Sequence, residues 1–533
     1  MRAAILKQLY KNRLAIILLM GYIGINVATL MSFPMVHSDE LWLKGIADEV
    51  IFQNKLWITE PFFDLYPRVA HPFRWLYIIL QQIAILLAGD GVVAMRLLSL
   101  GAGIGVLTIF FKCLKQTKQP ALLGTLLLAL NSQFIYALHF GRQEMLVLLI
   151  QMLLVMSLYN QEQKKSRAFE NQRLSASILN GAYYACLVFL GIGIHPNSFL
   201  LGLMTFAMLC ALVLKRRISY ITVLAFVCLL TASFLGLVFW GEWHVPGFFK
   251  AYLAYGASLG LDAMPGNRLT QFFWYFYKLF FQIGGTYDLL NIRIWLIGLL
   301  LTLLSPLFQK KITLNWVGLV AMLVGLFVLG RNNQLAILFM MPFLVYALMQ
   351  VVTSLKRHFT HGKYRYSASI LGLALGLIAC VNLAHNSADY RAQHFYNLAY
   401  SDVIHRIDTL IPDDANVLGN LNMIEAHPSH QFWDIRNLAY LAENQMTFAS
   451  YIEEHKIHYL IIHDEMAYIG ATQPTWDILY GPLSYAPEMN AFLKEHCEIV
   501  SVVDNPIYAM RIAKYSGTYP WQTTIYRVMP ETF

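Results

Sequence analysis

The sequence predicts a polytopic α-helical membrane protein with about eleven spanning helices, interfacial helices in its first outer loop, and a small C-terminal α/β soluble domain. Three observations predict it. The 533-residue chain is 57% hydrophobic and only 13% charged, against about 25% charged for soluble domains. From Leu14 to about Ala384 it is a series of long apolar runs, and from Asp389 to Phe533 it reads as an ordinary soluble sequence. Its basic residues cluster in short loops between the apolar runs. The predicted division is a membrane domain over 1–386 and an extracytoplasmic domain over 387–533, the latter of normal domain size.

A span needs about 20 mostly apolar residues. The runs that qualify are approximately 13–34, 91–112, 120–140, 144–159, 176–194, 198–214, 219–240, 291–308, 314–330, 334–352 and 368–386. The first is long for a signal peptide and lacks a small-residue cleavage site, so it reads as a retained helix. Leu76 to Leu87 is apolar but short, with two glutamines inside, which suits a re-entrant or interfacial segment. The positive-inside rule supports that choice. If 76–87 does not cross, five clusters join the basic N-terminus on the cytoplasmic side. They are Lys112/Lys115/Lys118, Lys164/Lys165/Arg167/Arg173, Lys215–Arg217, Lys310/Lys311 and Lys356/Arg357/Lys363/Arg365. If it crosses, all five move outside. On the first topology only Glu162 and Glu170 of the 31 acids face the cytoplasm. Polar chemistry then belongs to the outer face, with the N-terminus inside and the C-terminal domain outside.

The net charge of +8 does not point to nucleic acid, because no basic stripe with interleaved aromatics exists. Five of the six cysteines lie in or at the end of apolar runs. Only Cys497 lies in the soluble domain, so neither an internal disulfide there nor a metal-type cysteine spacing is available.

The first outer loop opens with HSDELWLKGIADEVIFQNKLW. Leu41, Trp42, Ile46, Val50 and Ile51 recur near helical spacing, with acids between them, which predicts an amphipathic helix on the membrane surface. Asp39 and Glu40 stand at its start, with Ser38 or Asp39 as N-cap. A capped helix start in water is the plain alternative. A second half-buried helix follows, entered through His71-Pro72. The short second outer turn, HFGRQEM, places Arg142 and Glu144 at the membrane edge. They are functional candidates there, or an interfacial ion pair. His195 ends one span and Arg331 lies just outside the membrane in the turn GRNNQ, and each also reads as an ordinary interfacial residue. The segment 241–291 is long and aromatic-rich; it suits a functional loop with aromatics at the headgroup level.

The order of these features resembles the GT-C superfamily of membrane glycosyltransferases, in particular its protein O-mannosyltransferase and aminoarabinose (lipid A) transferase branch. The acidic pair follows the first span. AHPFRWLYIILQQIAILLAGDGVVAMRLLSLGAGIGVLTIFF is similar to that family's Pro-Pro-Leu re-entrant helix and arginine-bearing second span, with one proline missing at His71-Pro72-Phe73. GRQEMLVLLI looks like its arginine–acid start of the fourth span. The likeness covers roughly 13–240.

The resemblance implies an inverting transferase that moves a sugar from a polyprenyl-phosphate donor to a lipid A, glycolipid, polysaccharide or protein acceptor on the outer face. It places Asp39 as general base. His71, Arg74, Arg142 and Arg331 become candidate cations for the leaving phosphate. Glu40 and Glu144 would orient the acceptor or these cations, and His195 is a further candidate substrate contact. The pattern implies no cofactor and no metal ligand set, with a divalent cation as the alternative. The expected setting is a bacterial inner membrane, with membrane lipids as neighbours. A transporter or lipid flippase with an outer accessory domain is the rival reading. It would be expected to show internal repeats and mid-membrane polar breaks, and no repeat is seen.

In the C-terminal domain, ANVLG, IHYLIIH and EIVSVV read as short buried strands. Residues 397–411, 447–456 and 488–496 read as helices. His427, His430, His455, His458 and His463 show no convincing ligand arrangement and read as solvated or structural.

Overall fold

The computed structural model describes residues 13–53, 60, 62–65, 72–89, 91–163, 173–258, 267–281, 289–329, 336–358, 366–393, 398–472, 485–508 and 519–530. Six of its helices are long and apolar enough to cross a membrane: Val92–Gln116, Glu144–Gln163, Leu174–Ile194, Pro196–Leu214, Tyr220–His244 and Ile337–Arg357. Shorter apolar helices cover Arg13–Ala28, Trp75–Ala88, Trp295–Leu307, Leu314–Val328 and Ser369–Ala384. The protein is therefore a multi-pass membrane protein. The chain forms two compact units that interleave in sequence. A helical unit contains Met1–Phe33, Arg96–Leu235 and Gly266–Asp389, and a mixed unit contains Pro34–Met95, Gly236–Pro265 and Tyr390–Phe533.

In the helical unit the expected span over 120–140 is broken. Ala121–Ala129 and Ser132–His139 meet at 63°. The cause is Asn131, whose side-chain oxygen accepts from the backbone N–H groups of Gln133 and Phe134 at 3.0 and 3.3 Å. That cap starts a new helix where a continuous one would leave these donors bonded to the preceding turn. All residues of the second piece are buried.

Small residues and polar bonds join the helices, as expected where burial in lipid gives no hydrophobic drive. Phe199–Leu214 runs along Leu314–Leu329, with Gly325 under Leu200 and Gly318 under Phe343. The Tyr159 hydroxyl donates to Asn315, and Asn315 donates to the Phe343 carbonyl, each at 3.0 Å. Gln151 donates to the Phe339 carbonyl at 2.7 Å, in the turn that Pro342 deprives of a backbone donor. Gly181 lies closest of all to a neighbouring backbone. A Cβ there would sit 2.6 Å from the Thr222 carbonyl oxygen and 2.9 Å from the Phe226 nitrogen. Gly181→Val is expected to destabilise the folded protein by about 1–3 kcal/mol, read as a lower melting temperature in detergent. An unchanged melting temperature would show that these two helices separate without penalty.

The mixed unit holds the loop after the first apolar helix and the C-terminal segment together. Its Ser38–Gln53 helix differs from the expected surface helix. Polar Lys44 and Glu49 are buried along with Leu41, Leu43, Ile46, Ala47 and Val50. The reason is tertiary. The helix packs on Trp75–Ala88 and on the 3-10 turns Leu421–Ala426 and Ser429–Gln431, so its acidic face meets protein instead of water. Lys44 and Asp48 pair at 2.7 Å on that helix. Trp75–Ala88 buries Tyr77, Ile78 and Gln81 and leaves Ile83, Leu86 and Leu87 exposed, a one-sided burial that suits the predicted interfacial segment.

The C-terminal segment builds a five-stranded mixed sheet in the order β2-β1-β3-β5-β4. β1 (Val417–Gly419) is parallel to β2 (Phe432–Asp434) and to β3 (Tyr459–His463). β5 (Gln522–Val528) is antiparallel to β3 and to β4 (Cys497–Asp504). Helices Tyr400–Asp408, Phe448–Glu454, Glu465–Thr472 and Ala486–His496 complete the domain. The predicted strands β1, β3 and β4 are present, but β4, expected to be buried, exposes Ile499, Val500 and Val502 because it lies at the edge of the sheet. β2, β5 and Glu465–Thr472 lie where the sequence reading assigned no element.

Residues 62–65 of that loop enter this domain. The Phe62 carbonyl accepts from Asp434 N–H and from the Asn437 amide, both at 2.9 Å. Arg436 is paired with Asp434 at 2.8 Å and lies 4.6 Å over the Phe63 ring. Asp64 accepts from the Tyr451 hydroxyl at 2.9 Å and pairs with His455 at 2.7 Å. Leu65 packs on the domain core. Glu425 reaches the start of Val92–Gln116, where its carboxylate accepts from Val92 N–H at 2.9 Å. That position suits an anion.

Candidate active site

The mixed unit contains Asp39, Glu40 and Arg74, and the helical unit contains Arg142, Glu144 and His195. His71 and Arg331 lie outside the described residues.

Asp39 is the second residue of the Ser38–Gln53 helix and is 7% exposed; Glu40 follows it and is fully buried. Neither Ser38 nor Asp39 is the N-cap, contrary to expectation. His37 takes that place. Its Nδ1 accepts from Asp39 N–H at 3.1 Å, and Glu40 Oε2 accepts from His37 N–H, also at 3.1 Å. This reciprocal pair is a variant of the capping box, with histidine as the cap and N2 in place of N3 as the donor to it. The H-x-x-E spacing was its sequence signal. Further along, Trp42 Nε1 donates to Glu60, which is fully buried, and Glu49 is 2% exposed. The sequence reading singled out neither acid, because acids on a surface helix are ordinary.

Arg74 ends the 3-10 turn Pro72–Arg74. Next to it Phe73 meets Tyr252 and Phe248 of the aromatic-rich segment, with ring centres 4.8 and 5.8 Å apart. Burial pushes the Tyr252 hydroxyl up to about 12, against a lowering by the Arg74 guanidinium. Arg74 Nε and Nη1 are buried and have no hydrogen-bond partner among the described residues.

In the helical unit Arg142 and Glu144 form an ion pair at 3.0 Å, mostly shielded from solvent. Arg142 also lies 5.6 Å over the Phe140 ring. Ser99 fixes this turn by donating to the carbonyls of Phe140 and Arg142 at 2.7 and 3.3 Å. Glu144 opens Glu144–Gln163, where a carboxylate is favoured by the helix dipole. The His195 Nδ1 accepts from Asn197 N–H at 3.0 Å and caps the turn Pro196–Ser198; a neutral ring then carries its proton on Nε2. Arg96 is fully buried and donates to the Leu30 carbonyl at 2.7 Å. Its signal was an arginine inside an apolar run.

Three of the domain histidines hold backbone. His427 Nε2 donates to the Ala415 carbonyl at 2.6 Å. His463 donates to Asn505 and accepts from Glu465 N–H, both at 2.9 Å; burial lowers its ring to about 4. His458 accepts from Asn416 N–H at 3.0 Å. Among the described residues, no three His, Cys, Asp or Glu side chains come together as a metal site.

The multi-pass helical framework and the mixed five-stranded C-terminal sheet make up the fold. Solved structures share that fold. The crystal structure of ArnT from Cupriavidus metallidurans in the apo state aligns with a TM-score of 0.54 at 10% identity, covering 97% of this chain and 99% of that one. The structure of the same protein bound to undecaprenyl phosphate aligns with a TM-score of 0.55 at 11% identity, covering 97% and 98%. At these identities the likeness is one of fold. No family model matches the sequence, and no curated protein matches it.

Proposed function

We propose that the protein is an inverting glycosyltransferase that takes a sugar from a polyprenyl-phosphate donor and transfers it to a hydroxyl or amine of a lipid, glycan or protein acceptor. The observation that carries this reading is the fold shared with ArnT over 97% of the chain; ArnT is itself seen bound to undecaprenyl phosphate. The proposed topology is eleven spans in a bacterial inner membrane, with the N-terminus cytoplasmic and 387–533 on the outer face. It rests on the basic loops.

In the proposed reaction the acceptor oxygen or nitrogen attacks the anomeric carbon and bonds to it. The bond from that carbon to the phosphate oxygen breaks with inversion. The acceptor proton passes to Asp39, and the polyprenyl phosphate leaves with its electron pair. A carboxylate can take that proton if it lies within hydrogen-bond reach. Arg74 is proposed, without a divalent cation, to meet the leaving phosphate. Its two buried guanidinium nitrogens, without hydrogen-bond partners among the described residues, suit an anion, since a charge shielded from water favours a counter-charge. Arg142 is proposed to contact substrate, oriented by Glu144; Glu40, His71, His195 and Arg331 are proposed as further contacts.

The test is mass spectrometry of membrane lipids from spheroplasts with and without the protein, before and after impermeant periodate. A transferase predicts that its loss accumulates one polyprenyl-phosphate sugar that periodate destroys, because the sugar waits on the outer leaflet. Accumulation protected from periodate would favour a flippase, and an unchanged lipid profile would refute both.

A further inference from the structure

We propose that His37 is the positioning residue for Asp39. This rests on the reading of Asp39 as the base. Histidine is not among the favoured N-caps, yet His37 occupies that place with Ser38 and Asp39 next to it. The ring restrains the Asp39 backbone, since its Nδ1 accepts the Asp39 N–H at 3.1 Å. Glu40, fully buried, holds the histidine backbone from the other side.

The consequence is geometric. The first-turn N–H groups of a helix have no partner within the helix, so its start frays unless a side chain accepts from it. Asp39 stands in that first turn. Removing the His37 acceptor frees the backbone that aims the carboxylate, while the rest of the helix stays packed along its length. A displacement of about 1 Å at a reacting group can slow a reaction on the order of 100-fold. An asparagine at residue 37 offers a side-chain oxygen as cap and restores the restraint on the backbone without the ring.

The experiment follows the accumulated polyprenyl-phosphate sugar in cells lacking the protein after induction of each variant at matched membrane abundance. With Asp39→Asn the pool is expected to persist. With His37→Ala it is expected to decay about 10- to 100-fold more slowly than with the native chain, and with His37→Asn within about three-fold of native. If alanine lowers abundance, induction is raised until its membrane level matches that of the native chain. Native decay with the cap-less variant, beside an inert Asp39→Asn, overturns the role of His37 alone. Equal slowing by asparagine and alanine overturns it too, because restoring the cap should restore the rate. Native decay with Asp39→Asn refutes the base itself and this inference with it.

Discussion

Asparagine in place of Asp39 is expected to slow sugar transfer by about 10²- to 10⁴-fold, the range for loss of a general base. The substitution keeps the shape of the side chain. It also keeps the backbone N–H that His37 accepts, so the helix start is expected to persist. Only the proton acceptor is lost. Arg74 and Arg142 are untouched, so affinity for undecaprenyl phosphate should hold within about two-fold, since the removed group acts in the transition state rather than in donor binding. Purified native and variant proteins in lipid nanodiscs, titrated with undecaprenyl phosphate, check the binding. The decay of the accumulated donor in cells checks the rate. Loss of binding together with activity would move Asp39 from catalysis to donor recognition. Retained activity would remove it from the site.

The second large effect is expected from Asp64→Ala. Its carboxylate receives the Tyr451 hydroxyl and pairs with His455, and Trp433 and Tyr451 flank that histidine with ring centres 5.1 and 4.5 Å away. Deleting it leaves the buried tyrosine hydroxyl with one fewer partner. The loss is expected to be about 1–3 kcal/mol, read as a lower melting temperature. Burial alone would raise the Asp64 carboxyl, but His455 and the Tyr451 bond outweigh it, and the net shift is downward. A depressed carboxyl stabilises the fold above its unfolded pKa of about 3.9 and loses that contribution as pH falls through the lower folded value. The difference between native and variant attributable to this ionisation should be full at neutral pH and shrink only below about pH 4. A difference unchanged well below about pH 4 would show that this ionisation contributes nothing to stability.

Individual elements show how far the sequence could be read. Val92–Gln116 and Tyr220–His244 were legible because a membrane selects long apolar runs. The break at Asn131 carried a local sign, an Asn-Ser pair within an apolar run, but hydropathy averages over such a pair and gives one span. His37 was passed over because propensity favours Ser38 and Asp39 as caps. Which residue caps depends on where Glu40 can reach back, and that is geometry. β5 buries Thr523 and Ile525 in alternation and then skips to Val528, so its period of two is broken within seven residues and is hard to read from sequence.

What the sequence determined by itself is the class of protein, since apolar length and the placement of basic residues are local properties that the membrane reads directly. Only the tertiary structure decided the surroundings of the acids. Asn437 bonds Phe62 across 375 residues and Tyr451 bonds Asp64 across 387. Contacts so distant leave no periodicity in either segment. The Ser38–Gln53 helix therefore carries the pattern of a surface helix, and it is buried because the C-terminal residues 421–431 supply the polar and apolar partners that water and lipid would otherwise provide.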